Sequence, residues 1–96
     1  MATAVDIGTL ITRTPGVVGG RPRIAGTRLS VMRIAIYYRL GKTPEEIAAM
    51  YEHVDLAQVY AALTYYWANR EEIEAEIEEE ERVADELERQ ARASRR

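Results

Sequence analysis

Gly19-Gly20-Arg21-Pro22-Arg23-Ile24-Ala25-Gly26-Thr27-Arg28-Leu29-Ser30-Val31 lies immediately ahead of the first helical pattern and carries three glycines, one proline and three arginines. Glycine accepts positive φ and close backbone approach, while proline fixes φ and removes a donor. Gly20, Pro22 and Gly26 therefore read as a shaped loop, not a linker. Arg21, Arg23 and Arg28 hang from it, and Arg33 follows on the first helical turn. Guanidinium groups present a planar fork of donors that fits phosphate or carboxylate. Two readings stay open: a basic surface for an acidic partner, or a turn whose arginines are solvated or paired with the chain's own glutamates.

Outward from the loop, Ser30 is a good N-cap for a helix over 31–40 closed by Gly41. Its apolar residues wrap most of the circumference, which predicts burial on more than one side. Thr43-Pro44-Glu45-Glu46 is a full helix start, with Thr43 as cap, Pro44 in the first position and Glu46 completing a capping box. That short helix should reach about Tyr51 with Ile47, Ala48 and Met50 inward. Asp55, with Gln58 three residues on, caps a third helix over 56–68, and the intervening link has helix-turn-helix length. On the amino-terminal side, Leu10-Ile11-Thr12-Arg13 reads as a short strand, with Val17-Val18 and Arg23-Ile24 as further pairing candidates. Residues 1–10 carry little pattern and read as a flexible arm.

Gly-Gly-x-Pro-x-Ile-x-Gly-Thr-Arg-Leu, then a helix, then Gly-x-Thr-Pro-Glu-Glu-Ile, resembles the bacterial domain-of-unknown-function 433 family (DUF433). The resemblance runs from about Ile11 to Ile73. Gly20, Pro22, Gly26, Thr27 and Arg28 match the family's loop, and Gly41, Pro44, Glu46 and Ile47 its helix junction. It implies a mainly α, homeodomain-like three-helix bundle with a helix-turn-helix. Some members are VapB-type antitoxins paired with PIN-like ribonucleases, which bind the nuclease with one segment and their own promoter DNA with another. The expected organisation is an arm over 1–10, a helix-turn-helix-like domain with short amino-terminal strands over 11–69, and a long acidic helix with a basic tail over 70–96. The last part departs from the family's short form.

The third helix contains no charged residue. Base-reading helices present Arg, Lys, Asn or Gln, and here only Gln58 and Thr64 qualify. Leu56, Val59, Tyr60, Leu63, Tyr66 and Trp67 make one apolar stripe, and the other side is still mostly apolar. This favours a homodimer seam anchored by Tyr60, Tyr65, Tyr66 and Trp67. Beyond Asn69, Ile73, Ile77, Ala84, Leu87 and Ala91 keep a four-three rhythm that Glu80 interrupts, with Val83 beside it. Such a narrow stripe is a pairing surface for another helix or a partner's groove. Ile73, Ile77, Val83 and Leu87 would make the contact, with Arg82, Arg89 or Arg92 reaching the acidic nuclease site that the resemblance implies; the extension is equally open to being a dimerisation helix.

The chain has 96 residues, one domain's worth, and a net charge of −3. Residues 1–42 hold seven basic residues against Asp6 alone, a balance of +6, while the remainder carries −9. The basic half offers Arg21, Arg23, Arg28, Arg33, Arg39 and Lys42 to nucleic-acid phosphates; alternatively, the halves neutralise each other within a chain or across a dimer. There is no cysteine, hence no disulfide and no thiolate nucleophile or metal site. No secretory signal or apolar span is seen, so a cytoplasmic location without membrane contact is expected. The single histidine, His53, lies near Glu52 and Asp55 at a spacing that matches no metal-ligand motif. The glycine-rich loop has neither a Walker lysine nor dinucleotide spacing. No catalytic residue, metal, cofactor or small-molecule substrate is expected. The open alternative to the antitoxin is a homo-oligomeric interaction module without DNA binding.

Overall fold

A computed structural model describes residues 4–95. Residues 1–3 of the expected arm and Arg96 of the expected tail lie outside the described residues. Asp6 accepts from the Gly8 amide and caps a single 3₁₀ turn, Ile7–Thr9. Strand β1 (Ile11–Thr12) then pairs antiparallel with β2 (Arg23–Ile24), setting Ile11 opposite Ile24 and Thr12 opposite Arg23. Val17 and Val18, expected as pairing candidates, add no strand. Val18 starts a 3₁₀ turn, Val18–Gly20, at φ +42°, a left-handed conformation that β-branched residues rarely adopt and that a ladder cannot use.

The helices start where the side chains offer caps. The Ser30 hydroxyl accepts from the Arg33 amide at the head of α1 (Val31–Arg39), and Gly41 follows at φ +97°. Helix α2 (Pro44–Ala49) opens with a complete capping box between Thr43 and Glu46, whose bonds from the Thr43 backbone and hydroxyl hold the Glu46 carboxyl below its usual pKa. Asp55 and Gln58 form the same box for α3 (Leu56–Ala68). A single 24-residue helix, α4 (Arg70–Ala93), follows Asn69. Helix α2 stops at Ala49, so Met50 caps its end and stays exposed where an inward position was expected.

The core centres on α1, which packs against α2, α3 and α4. Ile24, Val31, Ile34, Ile47, Val59 and Ile73 are fully buried. Two expectations are corrected here. On α3 the buried face is Val59, Ala61, Ala62, Leu63 and Tyr66, rotated from the stripe of large residues, because alanine admits close helix approach. Tyr66 is therefore core instead of seam, while Leu56, Tyr60 and Trp67 stay exposed. On α4, Ile73 and Ile77 belong to the chain's own core, since they are its only large apolar residues level with the body; they are not free for a partner. From Glu81 to Arg95 every residue of the chain is exposed.

Candidate functional site

The loop from Ile24 to Leu29 is closed by its own groups. The Ile24 amide donates to the Leu29 carbonyl at 2.9 Å. The Thr27 hydroxyl donates to the Ile24 carbonyl at 2.8 Å and accepts from the Leu29 amide at 3.0 Å. Gly26 makes the turn at φ +81°, and a Cβ there would meet nothing within 4 Å, so backbone conformation and not space selects glycine. Pro22 is buried and its carbonyl accepts from the Val31 amide at 2.9 Å, docking the loop on the head of α1. Gly20, at φ +76°, turns the chain just before it.

This scaffold sets Arg21, Arg28 and Arg33 around one cleft of about 370 Å³, with Tyr37 and Tyr51 on its wall. The Tyr51 hydroxyl donates to that of Tyr37 at 3.3 Å. Burial, reinforced by that bond, pushes the Tyr51 phenol up to about 12, so it stays a neutral donor. One carboxylate reaches the arginines: Glu80 of α4 lies 3.3 Å from Arg21 and 3.9 Å from Arg33. Arg28 makes no ion pair among the described residues.

Glu80 is the top rung of a ladder. Glu72, Glu76 and Glu80 recur every four residues and so share one face of α4. Glu72 pairs with Arg13 and accepts from the Tyr65 hydroxyl at 2.9 Å. Glu76 has a buried carboxylate oxygen without a partner, and that burial raises its pKa against the opposing pull of Arg21 and Arg13. Glu80, which interrupts the apolar rhythm of α4, belongs instead to a four-residue recurrence of acids that faces a basic first half of the chain.

The other proposed phosphate contacts separate. Arg23 is corrected to a brace: it donates to the Thr27 carbonyl at 2.8 Å and the Thr14 hydroxyl at 2.9 Å, and its Nε is buried. It fastens the loop and does not line the cleft. Arg39 and Lys42 are exposed and without ion pairs among the described residues, but neither lines the cleft.

A second surface is apolar. Tyr38, Pro44, Tyr60, Leu63 and Trp67 line a shallow groove of about 680 Å³ that shares no residue with the arginine cleft. Trp67 is 53% exposed, meets Tyr38 edge-on at 6.2 Å and lies under the Arg70 guanidinium at 5.0 Å. Tyr65 is turned away from this groove into the bonds with Arg13 and Glu72. On the far part of α4, Val83 and Leu87 are exposed, while Arg82 pairs with Glu79 and Arg89 with Glu86 on the same helix. His53 is exposed, and no metal-ligand cluster occurs among the described residues.

Comparison with known proteins places these features. The family model described as protein of unknown function (DUF433) matches residues 11–66. That span holds the arginine loop and ends inside α3, so α4 and its acid ladder lie beyond it. A solved DUF433 member protein from Anabaena variabilis ATCC 29413 is 38% identical, with a TM-score of 0.68 over 72% of this chain and 68% of that chain. No curated protein matches the chain.

Proposed function

This chain belongs to the DUF433 family, and from that premise we propose that it is the antitoxin half of a type II toxin–antitoxin pair. The far part of α4 binds and neutralises a PIN-like nuclease, the arginine cleft with Arg39 and Lys42 binds promoter DNA, and two copies pair through Tyr60 and Trp67. In this reading the chain works in the cytoplasm by binding alone, with no catalytic group, metal, cofactor or small-molecule substrate. The observation that carries it is the run of α4 beyond Glu81, which is exposed throughout among the described residues and presents Val83 and Leu87. A helix with an apolar line and paired surface charges is suited to a partner's groove. Arg82 and Arg89, held only by exposed pairs, are available to an acidic nuclease site.

The test is affinity capture from the protein's own cells, comparing the unmodified chain with a Val83→Asp/Leu87→Asp variant. A stoichiometric PIN-like nuclease is expected with the first and absent with the second, at unchanged melting temperature. Recovery of no nuclease, or equal recovery with both chains, would defeat the proposal. A second reading, a homo-oligomeric interaction module without DNA binding, is favoured by one observation: α4 carboxylates already partner Arg13, Arg21 and Arg33.

A further inference from the structure

The cleft has the composition of an anion site, and one anion from the chain itself already reaches it. Arg21 and Arg33 come from different segments, the loop and α1, yet converge on the single carboxylate of Glu80. Arg28 lines the same cleft with no ion pair among the described residues, so three guanidinium groups share the one carboxylate paired there. Tyr37 and Tyr51 add hydroxyls to the wall. Arg21 is only 27% exposed in its side chain and also donates to the Met32 sulfur at 3.6 Å, which fixes its direction. Glu80 is 45% exposed and can leave into water without uncovering the core. Charge-assisted bonds from guanidinium to phosphate are short and directional, whereas a half-exposed ion pair is held weakly.

We propose that the cleft formed by Arg21, Arg28 and Arg33 is a binding site for a nucleic-acid backbone phosphate, and that Glu80 of α4 is its built-in competitor. The inference rests on the nucleic-acid part of the function proposed above and adds a regulation to it. Glu80 occupies two of the three arginines until a phosphate displaces it, so α4 sets the affinity of the loop. Glu80 lies beyond the stretch matched by the family model, whereas the three arginines lie within it, so the competitor comes from the extension and the site from the matched domain.

Glu80→Gln keeps the shape of the side chain and removes its charge. Glu78→Gln makes the same change in net charge at an exposed position with no ion pair among the described residues, and controls for it. Binding to a short mixed-sequence DNA duplex is measured for the unmodified chain and both variants across a salt series. Glu80→Gln should bind about two- to five-fold tighter than Glu78→Gln, the scale of an exposed ion pair. Its logarithmic salt dependence should match that of Glu78→Gln, because the same phosphate is bound in both once Glu80 has moved aside. Adding Arg21→Ala to both glutamine variants should remove the difference between them, since Arg21 is the guanidinium nearest to Glu80. If the unmodified chain binds duplex and the two glutamine variants bind alike, the competitor role is overturned while the nucleic-acid reading stands. If none of the chains binds duplex, both fall. A gain seen for a polyglutamate peptide and not for duplex would assign the cleft to an acidic protein segment and overturn the proposal.

Discussion

Glu76 shows what a single carboxyl costs when the fold buries it beside its own kind. Its partnerless buried oxygen and the neighbouring Glu72 favour the neutral form, and Arg21 and Arg13 only partly offset them. A carboxyl whose folded pKa lies above its unfolded value binds more protons in the folded state, so it costs stability at neutral pH. The cost is lost as pH falls through the folded pKa to the ordinary carboxylate value, where both states are protonated. Glu76→Gln should therefore raise the melting temperature at neutral pH, and the gain should vanish below the ordinary carboxylate range. Thermal melts of both chains across that range check it; an equal gain at every pH would mean that shape and not charge is responsible. Arg23 illustrates the reverse case, a charged group whose bonds to Thr27 and Thr14 make it part of the loop's frame.

At the scale of the element, α4 is two helices in one. Its first half contributes Ile73 and Ile77 to the core and carboxylates to Arg13, Arg21 and Arg33. Its second half carries i,i+3 and i,i+4 pairs and exposed Val83 and Leu87. Deleting a buried isoleucine side chain costs about 2–5 kcal/mol, while an exposed leucine costs little. A chain ended after Glu81 should melt within a few degrees of the full chain, whereas one ended after Asn69 should lose both core isoleucines and most of its stability. Chemical denaturation of the two truncations reads the difference; equal stabilities would mean that α4 is not part of the core. The boundary expected at residue 70 thus falls before the core ends.

The whole molecule is elongated, 66 × 28 × 24 Å, with a radius of gyration of 15.6 Å. A compact chain of about 100 residues would have about 13 Å, and the excess lies in the projecting helix. Its charge halves meet where Arg13 pairs with Glu72 and where Arg21 and Arg33 pair with Glu80, which leaves Arg28, Arg39 and Lys42 without ion pairs among the described residues. Large apolar side chains remain in water at Leu40, Tyr60 and Trp67. Aromatic groups of this kind are characteristic interface anchors. Sedimentation should give a dimer for the chain and a monomer for Tyr60→Ser/Trp67→Ser, with circular dichroism unchanged. A monomer for the unmodified chain, or a dimer that survives the double change, would remove the aromatic groove as the seam.

The sequence by itself determined the local elements: the caps at Ser30, Thr43 and Asp55, the turn at Gly26, the strand at Ile11–Thr12, and the bounds of α3 at Leu56–Ala68. These depend on groups within a few residues of one another, so spacing alone expresses them. Only the tertiary structure decided which face of α3 is buried, that Tyr66, Ile73 and Ile77 are core, and that Arg23 braces while Arg21 and Arg33 open onto a cleft. Helices apolar on two sides have no single inward face until neighbours choose one. Likewise, a guanidinium's role depends on which acid lies within reach, and Glu80 is separated from Arg21 by 59 residues of chain.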